Sequence, residues 1–336
     1  MPRRLANLFL LGSVVLLVAT GLLPWLFPES VARPLYVVHR IAGVALVLSL
    51  GRKYAIVRGA LTRRLASPRH LALPRRDLTL IASAGASLAL ALTVVIGLAW
   101  TAGLVSFDRP IPYSALNVHV FIGAALVPLV VLHAMRRWER RPPATRLLGR
   151  RAALRVLGLG AAATVVTAAL DGVAPLRRLT GSRPAGSFTG NAFPLTIWNI
   201  DSVPTIDPRT WQLTVAGAVS EPRTLAYEEL GALARRELDA VIDCTGGWWS
   251  EQRWSGVGLA ELVRSSGPTA AASRVRVVSV TGHAWTFGLD EIGEALLATH
   301  VGGERISAGH GYPLRLVVPG RRGFQWIKWV GRVEVT

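Results

Sequence analysis

Five apolar stretches, each long enough to cross the roughly 30 Å of a bilayer's hydrocarbon at about 20 residues per helix, fill the first half of this 336-residue chain. They occupy residues 5–27, 35–50, 78–100, 116–135 and 152–170, the second interrupted by His39 and Arg40. So much helical apolar surface has no place in a water-soluble core of this size. The first half is therefore expected to be an all-α transmembrane bundle of five helices.

The basic residues set its orientation. The N-terminus carries Arg3 and Arg4. The connection after the second stretch carries Arg52, Lys53, Arg58, Arg63, Arg64, Arg69, Arg75 and Arg76. The connection after the fourth carries Arg136, Arg137, Arg140, Arg141, Arg146, Arg150 and Arg151, and only Asp77 and Glu139 oppose the whole set. The alternate loops hold one arginine each, Arg33 and Arg109. By the positive-inside rule the N-terminus is cytoplasmic and everything after the fifth helix lies outside the cytoplasmic membrane. The net charge of +18 is thus accounted for by topology, and nucleic-acid binding is not expected. From Gly172 onward the chain has 17 basic and 15 acidic residues, the balance of an ordinary water-soluble domain.

The fifth stretch opens with Gly149-Arg150-Arg151-Ala152-Ala153-Leu154-Arg155. This resembles a twin-arginine export signal inside the chain, with Gly and Ala where Ser and Phe are common. The same residues also read as an arginine pair closing a cytoplasmic loop. The segment is expected to remain as an anchor.

His39 and His119 fall near the outer ends of the second and fourth helices, which run in the same direction, so their imidazoles can share one depth. Two facing histidines in a helix bundle suit a bis-His haem, with Arg40 placed to pair with a propionate; alternatively each hydrogen-bonds a neighbouring helix. His133, 14 residues after His119, lies about 21 Å further along the axis at ~1.5 Å per residue. A second haem there needs a partner. The position 14 residues after His39 is Lys53, a poor one, and His70 is in the basic loop. One haem b is expected and a second is left open.

The only cysteine, Cys244, lies in the outer half, where a lone thiol cannot close an intrachain disulfide. An inert buried side chain, a nucleophile and a metal ligand remain open. Around it the chain reads as α+β: strands at 211–216, 238–242, 275–280 and 314–318, helices at 226–233, 259–263 and 290–298, after a Gly-, Pro- and Ser-rich lead-in. The expected organisation is residues 1–151 for four helices and a haem site, 152–171 for the fifth helix, 172–190 for a linker, and 191–336 for the outer domain.

Four segments give the outer domain a specific likeness. They are Asp207-Pro208-Arg209-Thr210-Trp211-Gln212-Leu213; Asp243-Cys244-Thr245-Gly246-Gly247-Trp248; Trp254-Ser255-Gly256-Val257-Gly258-Leu259; and His310 to Gly320 leading into Gly323-Phe324-Gln325-Trp326-Ile327-Lys328-Trp329. In this order they resemble the molybdopterin-binding domain of the sulfite oxidase family, which includes the catalytic subunit of bacterial periplasmic methionine sulfoxide reductase. The resemblance implies that Cys244 is the thiolate ligand of molybdenum, the remaining sulfurs coming from the pterin. It implies that His310, Arg315, Trp326, Ile327 and Lys328 hold Mo-molybdopterin and its phosphate. Thr196, Trp198 and Asn199 fall where the family's N-terminal segment reaches the cofactor, and Ser279 and Thr281 in another pocket-lining stretch. His283, Trp248 and Trp249 are candidates for the substrate mouth. Sulfite oxidases bring an oxyanion-binding arginine from the N-terminal segment, and here Trp198 takes that place.

The expected function is a membrane-anchored oxidoreductase. It exchanges electrons between the quinone pool and an outer molybdenum site through membrane haem, and reduces a small S-oxide or N-oxide or an oxidised protein. The alternatives are a sulfite-type dehydrogenase and a non-catalytic haem membrane protein with a degenerate outer binding module.

Overall fold

The structure is a computed structural model that describes residues 3–65, 78–105, 114–137, 149–173, 176–197, 201–233 and 235–336. His70, Arg109, Trp198 and Asn199 lie outside the described residues. The chain divides into two compact units, Met1–Gly181 and Ser182–Thr336.

The first unit consists of α1 (Arg3–Leu22), α2 (Glu29–Leu65), α3 (Leu78–Thr101), α4 (Ala115–Arg137) and α5 (Arg150–Gly172). Each is long and apolar enough to cross a membrane. The second is much longer than the expected 35–50. Arg52, Lys53 and Arg58 are polar but good helix formers, so they mark the end of an apolar run without ending the helix. Val14, Leu46 and Leu126 form a buried cluster between α1, α2 and α4, packed by Leu17, Leu90 and Val94 among others. Elsewhere large apolar side chains point outward: Leu88, Val95, Leu157 and Val165 are each more than 60% exposed. Such a surface suits hydrocarbon and not water. At one end, Asp171 pairs with Arg40 of α2 and, at 3.3 Å, with Arg177, while Arg178 pairs with Glu29. Trp100 closes α3 by donating its indole N–H to the Gly181 carbonyl at 2.8 Å.

The second unit contains two mixed sheets. One is ordered β1 (Arg183–Pro184), β5 (Trp248–Gly258), β8 (Leu296–Val301) and β10 (Arg315–Val317), with β4 (Arg236–Asp243) paired to β5 and β9 (Glu304–Arg305) to β8. The other runs β3 (Arg223–Ala226), β2 (Gln212–Gly217), β11 (Val330–Val335), β6 (Arg274–Ser279) and β7 (Ala284–Gly288). Short helices α6 (Tyr227–Ala232) and α7 (Leu259–Ser265) complete the α+β unit. Alternation is clear in β2, where Leu213 and Val215 are buried, and in β11, where Val333 and Val335 are.

Two expectations change. The stretch 290–298 is not a helix: residues 289–294 form turns and Leu296 begins β8. Leu296, Leu297 and Ala298 are all fully buried between β5 and β10. A short apolar run buried on both faces carries no period that distinguishes strand from helix. The stretch 182–190, expected as linker, belongs to the second unit. There β1 pairs parallel with β5, opposite Trp248 and Trp249. Two residues of strand are too short to leave a pattern.

Candidate active site

Strands β4 and β5 form an antiparallel hairpin in register from Arg236↔Gly256 to Asp243↔Trp249, and Cys244 opens the turn that joins them. The turn is closed by Cys244 N–H to Trp248 O at 2.9 Å and Gly247 N–H to Cys244 O at 3.0 Å. Gly247 has φ +85°, a conformation costly for any side-chain-bearing residue. The Gly246 N–H points at Cys244 Sγ, 3.3 Å away. A thiolate is stabilised by such a donor. The turn thus presents one buried sulfur at the end of the hairpin.

That sulfur faces a cavity of about 660 Å³, counting its open mouth, whose walls come from both sheets and from Phe193, Pro194, Thr196, Ile197 and Asp201. Cys244, Thr196, Ser279, His310, Arg315, Trp326 and Lys328 all line it, so the structure brings together most of the residues picked out from sequence. Ile327 is fully buried behind the wall, its carbonyl accepting the Leu316 N–H at 2.8 Å. Thr281 stands beside the rim, donating to Asp201 at 3.2 Å and sharing a hydrogen bond with Ser279 at 3.0 Å. Trp248 and His283 line the cavity and Trp249 does not.

Two basic side chains sit in it without an ion-pair partner among the described residues. Arg315 is 2% exposed, donates from Nη1 to the His310 carbonyl at 2.6 Å, and leaves Nε buried with no partner. Burial pulls its guanidinium down to about 10, against the opposing pull of Cys244. Lys328 donates to the carbonyls of Thr196 at 3.0 Å and Gly309 at 2.9 Å. Burial, then the neighbouring Arg315, bring its ammonium down to about 7, while Cys244 and Asp201 act the other way. Among the described residues no carboxylate forms an ion pair with either. A buried cation of this kind is expensive unless an anion arrives. A soft sulfur donor beside two buried basic side chains that form no ion pair fits a redox metal held by an anionic, phosphate-bearing cofactor. Among the described residues no three His, Cys, Asp or Glu side chains gather into a metal site.

His310 has both ring nitrogens engaged. Nε2 lies 3.0 Å from the Phe193 carbonyl, which only accepts, so Nε2 carries the proton and Nδ1 receives the Ser307 hydroxyl at 2.7 Å. Burial, followed by the charge of Arg315, lowers its pKa to about 4, so the ring is neutral at ordinary pH. Its part is to hold Phe193, whose ring lies 4.1 Å away, against the cavity wall. Trp329, also in the wall, has φ +52° and is fixed by its indole N–H to the Ala308 carbonyl at 2.7 Å. Strained backbone of this kind often accompanies a functional pocket.

Sequence reasoning missed Phe193, Asp201, Phe324 and Arg322. The first three line the cavity. Arg322 pairs with Asp243 at 2.6 Å. An aspartate adjoining a buried cysteine inside a strand needs a cation, and that was the available signal.

In the helical unit, His39 and His119 come together, ring centroids 6.3 Å apart and planes at 77°. The hydrogen bonds of both rings run through Nδ1: His39 to the Leu17 carbonyl at 3.0 Å and to Thr20 Oγ1 at 3.3 Å, His119 to the Thr93 carbonyl at 2.8 Å. Each ring also packs over a glycine, Gly21 and Gly97, where a Cβ would approach to 3.1 Å. Imidazoles on opposite sides of one metal have centroids roughly 6 Å apart, from metal–nitrogen bonds of ~2.0 Å and the ring radius. His133 instead shares a hydrogen bond with Ser83 at 2.8 Å, and Lys53 donates to Asn7 at 2.9 Å.

Comparison with known proteins agrees with the second unit's chemistry. The family described as Oxidoreductase molybdopterin binding domain matches residues 200–336. Mitochondrial sulfite oxidase of Mus musculus is 28% identical over 165 residues, covering 40% of this chain and 30% of that protein. The uncharacterized oxidoreductase YuiH of Bacillus subtilis (strain 168) is 30% identical over 163 residues, 47% of this chain and 80% of the relative. The protein-methionine-sulfoxide reductase catalytic subunit MsrP of Gluconobacter oxydans (strain 621H) is 30% identical over 151 residues, 39% of this chain and 48% of that one. The chain spans about 30% of the length of the sulfite oxidases it matches. With a free cysteine, a buried unpaired arginine and a buried lysine around one cavity, and these relatives beside it, the chain belongs through its second unit to the molybdopterin-binding oxidoreductases of the sulfite oxidase and MsrP type.

Proposed function

We propose that this chain is a membrane-anchored molybdenum oxidoreductase that reduces a neutral S-oxide or N-oxide outside the cytoplasmic membrane. Its electrons come from quinol through haem b in the helical unit. The observation that carries the reading is Cys244 facing the same cavity as Arg315 and Lys328, two buried cations without carboxylate partners. When bound, the molybdenum–pterin group supplies a two-electron couple at which oxygen is exchanged with the substrate.

The protein's residues do the rest. Cys244 contributes the thiolate ligand, and Arg315 and Lys328 take the cofactor's phosphate. His310 keeps Phe193 in the wall. Phe324, His283 and Asp201 form the approach. A carboxylate there disfavours anions and leaves a neutral oxide acceptable. The reaction balances as one oxide, two electrons and two protons giving the reduced substrate and water, with quinol oxidised to quinone. His39 and His119 are the proposed haem ligands, supported by their 6.3 Å separation and by Nδ1 bonds that leave Nε2 for metal. The five apolar helices span the membrane with the N-terminus inside, supported by the placement of the arginines; α5, beginning at Arg150, acts as an uncleaved anchor with a twin-arginine-like start.

The test is a steady-state assay of the purified full chain with reduced quinol analogue and methionine sulfoxide or a small N-oxide, set against sulfite with an electron acceptor. Turnover with the oxide is expected. Sulfite oxidation in place of it would establish the second reading, which the likeness to sulfite oxidases favours.

A further inference from the structure

The residue before Cys244 is tied into a buried network that the cavity does not include. Asp243 is 4% exposed and Arg322 7%. Arg322 Nη1 donates to Asp243 Oδ1 at 2.6 Å, and the same oxygen accepts the Ser182 hydroxyl at 2.6 Å. Arg322 Nη2 reaches the Cys244 carbonyl at 3.2 Å. The backbones of Asp243 and Arg322 also bridge. The next residue but one, Gly246, donates its N–H to Cys244 Sγ. The chain thus grips the cysteine turn from behind, and Gly323 lies against it so closely that a Cβ there would sit a tight 3.2 Å from Cys244 Cα.

A buried ion pair is weak support for stability, because desolvation offsets most of the attraction and an apolar pair of equal size often serves as well. Its position beside the one sulfur ligand has a clearer consequence. Groups that orient a metal ligand from behind set its donor strength and, with it, the metal's potential. We infer that Asp243 and Arg322, with Ser182, are positioning residues that fix the Cys244 thiolate and set the reduction potential of the metal it holds. The inference rests on the reading of Cys244 as molybdenum ligand. Replacing Asp243 by Asn takes a negative charge from beside the thiolate and replacing Arg322 by Met takes a positive one, so the two single changes act in opposite directions.

The test is an EPR-monitored redox titration of the Mo(V) signal in purified full-length holoenzyme, with metal content measured in parallel. Asp243→Asn, which removes a negative charge, should raise the midpoint potential; Arg322→Met, which removes a positive one, should lower it. The double variant should return towards the parent value. Should the single variants fail to fold or load, Arg322→Lys and Ser182→Ala retain the ion pair while loosening the turn. They are expected to alter the Mo(V) g-values and retain metal. Shifts of the same sign, or unchanged potential and g-values in metal-loaded variants, would reduce the network to scaffold and overturn the inference. Parent protein lacking molybdenum, or Cys244→Ser retaining the full signal, would instead remove the ligand assignment on which it depends.

Discussion

His39 and His119 belong to different helix hairpins, yet the two rings meet at 6.3 Å in matching surroundings. His39, on α2, rests over Gly21 of α1 and bonds the carbonyl of Leu17, four residues before that glycine. His119, on α4, rests over Gly97 of α3 and bonds the carbonyl of Thr93, again four residues earlier. A glycine lets the ring lie against the neighbouring helix, and the carbonyl one turn back fixes the tautomer, directing Nε2 away from the helix.

Replacing either histidine by alanine is therefore expected to abolish the low-spin bis-His absorbance of the purified full chain. Gly97→Ala should shift that spectrum without removing it, because the new methyl pushes the His119 ring by a few tenths of an ångström. Optical spectra of oxidised and dithionite-reduced protein read both outcomes. An unaltered spectrum in His119→Ala would place any haem elsewhere.

Cys244→Ser should release molybdenum and reduce turnover by more than the roughly 10–100-fold that losing a supporting partner costs a metal site. The hairpin should survive, since its turn is closed by backbone bonds from Cys244 and Gly247. Elemental analysis with circular dichroism separates metal loss from unfolding.

His310 gives a pH dependence with a defined sign. Its pKa is lowered from 6.5 to about 4 in the folded protein, so between those values the unfolded chain binds more protons than the folded one. Stability then rises with pH through this window, is fully present above 6.5, and is lost as pH falls towards 4. Thermal melts of the cofactor-free protein from pH 7 to pH 4 should show a falling midpoint. His310→Gln, which can still donate to the Phe193 carbonyl, should flatten the slope.

Much of this was legible in the chain, for physical reasons. Hydrophobic length located the five helices and the apolar run 238–242 located most of β4, because both signals are local, whereas its partner β5 (Trp248–Gly258), with polar residues along much of its length, was not read as a strand. The cavity was legible only by resemblance. Thr196, Ser279, Arg315 and Lys328 are far apart in sequence, and no period joins them. The partner of Asp243 was hidden for the same reason: 79 positions separate it from Arg322. The strand Leu296–Val301 was misread because a run buried on both faces has no polar side to reveal its period.

Arg315 offers a prediction in which stability and function move in opposite directions. Its guanidinium is held in a cavity with one carbonyl acceptor, an unpartnered Nε and the face of Trp254 at 5.5 Å. In the cofactor-free protein this charge is a liability that only a bound anion relieves. Substituting an apolar residue of similar length removes the desolvation cost, a gain on the order of 1–4 kcal/mol where buried charges have been replaced by well-packed side chains. Loss of the charge-assisted bond to His310 O takes back part of this, about 1.5 kcal/mol or more. Arg315→Met should accordingly melt higher than the parent when both are cofactor-free, and should retain less molybdopterin after purification. Calorimetry of the cofactor-free proteins and pterin quantification of the loaded ones measure the two effects separately. A variant that melts lower while binding cofactor normally would mean that Arg315 serves the fold and not the phosphate.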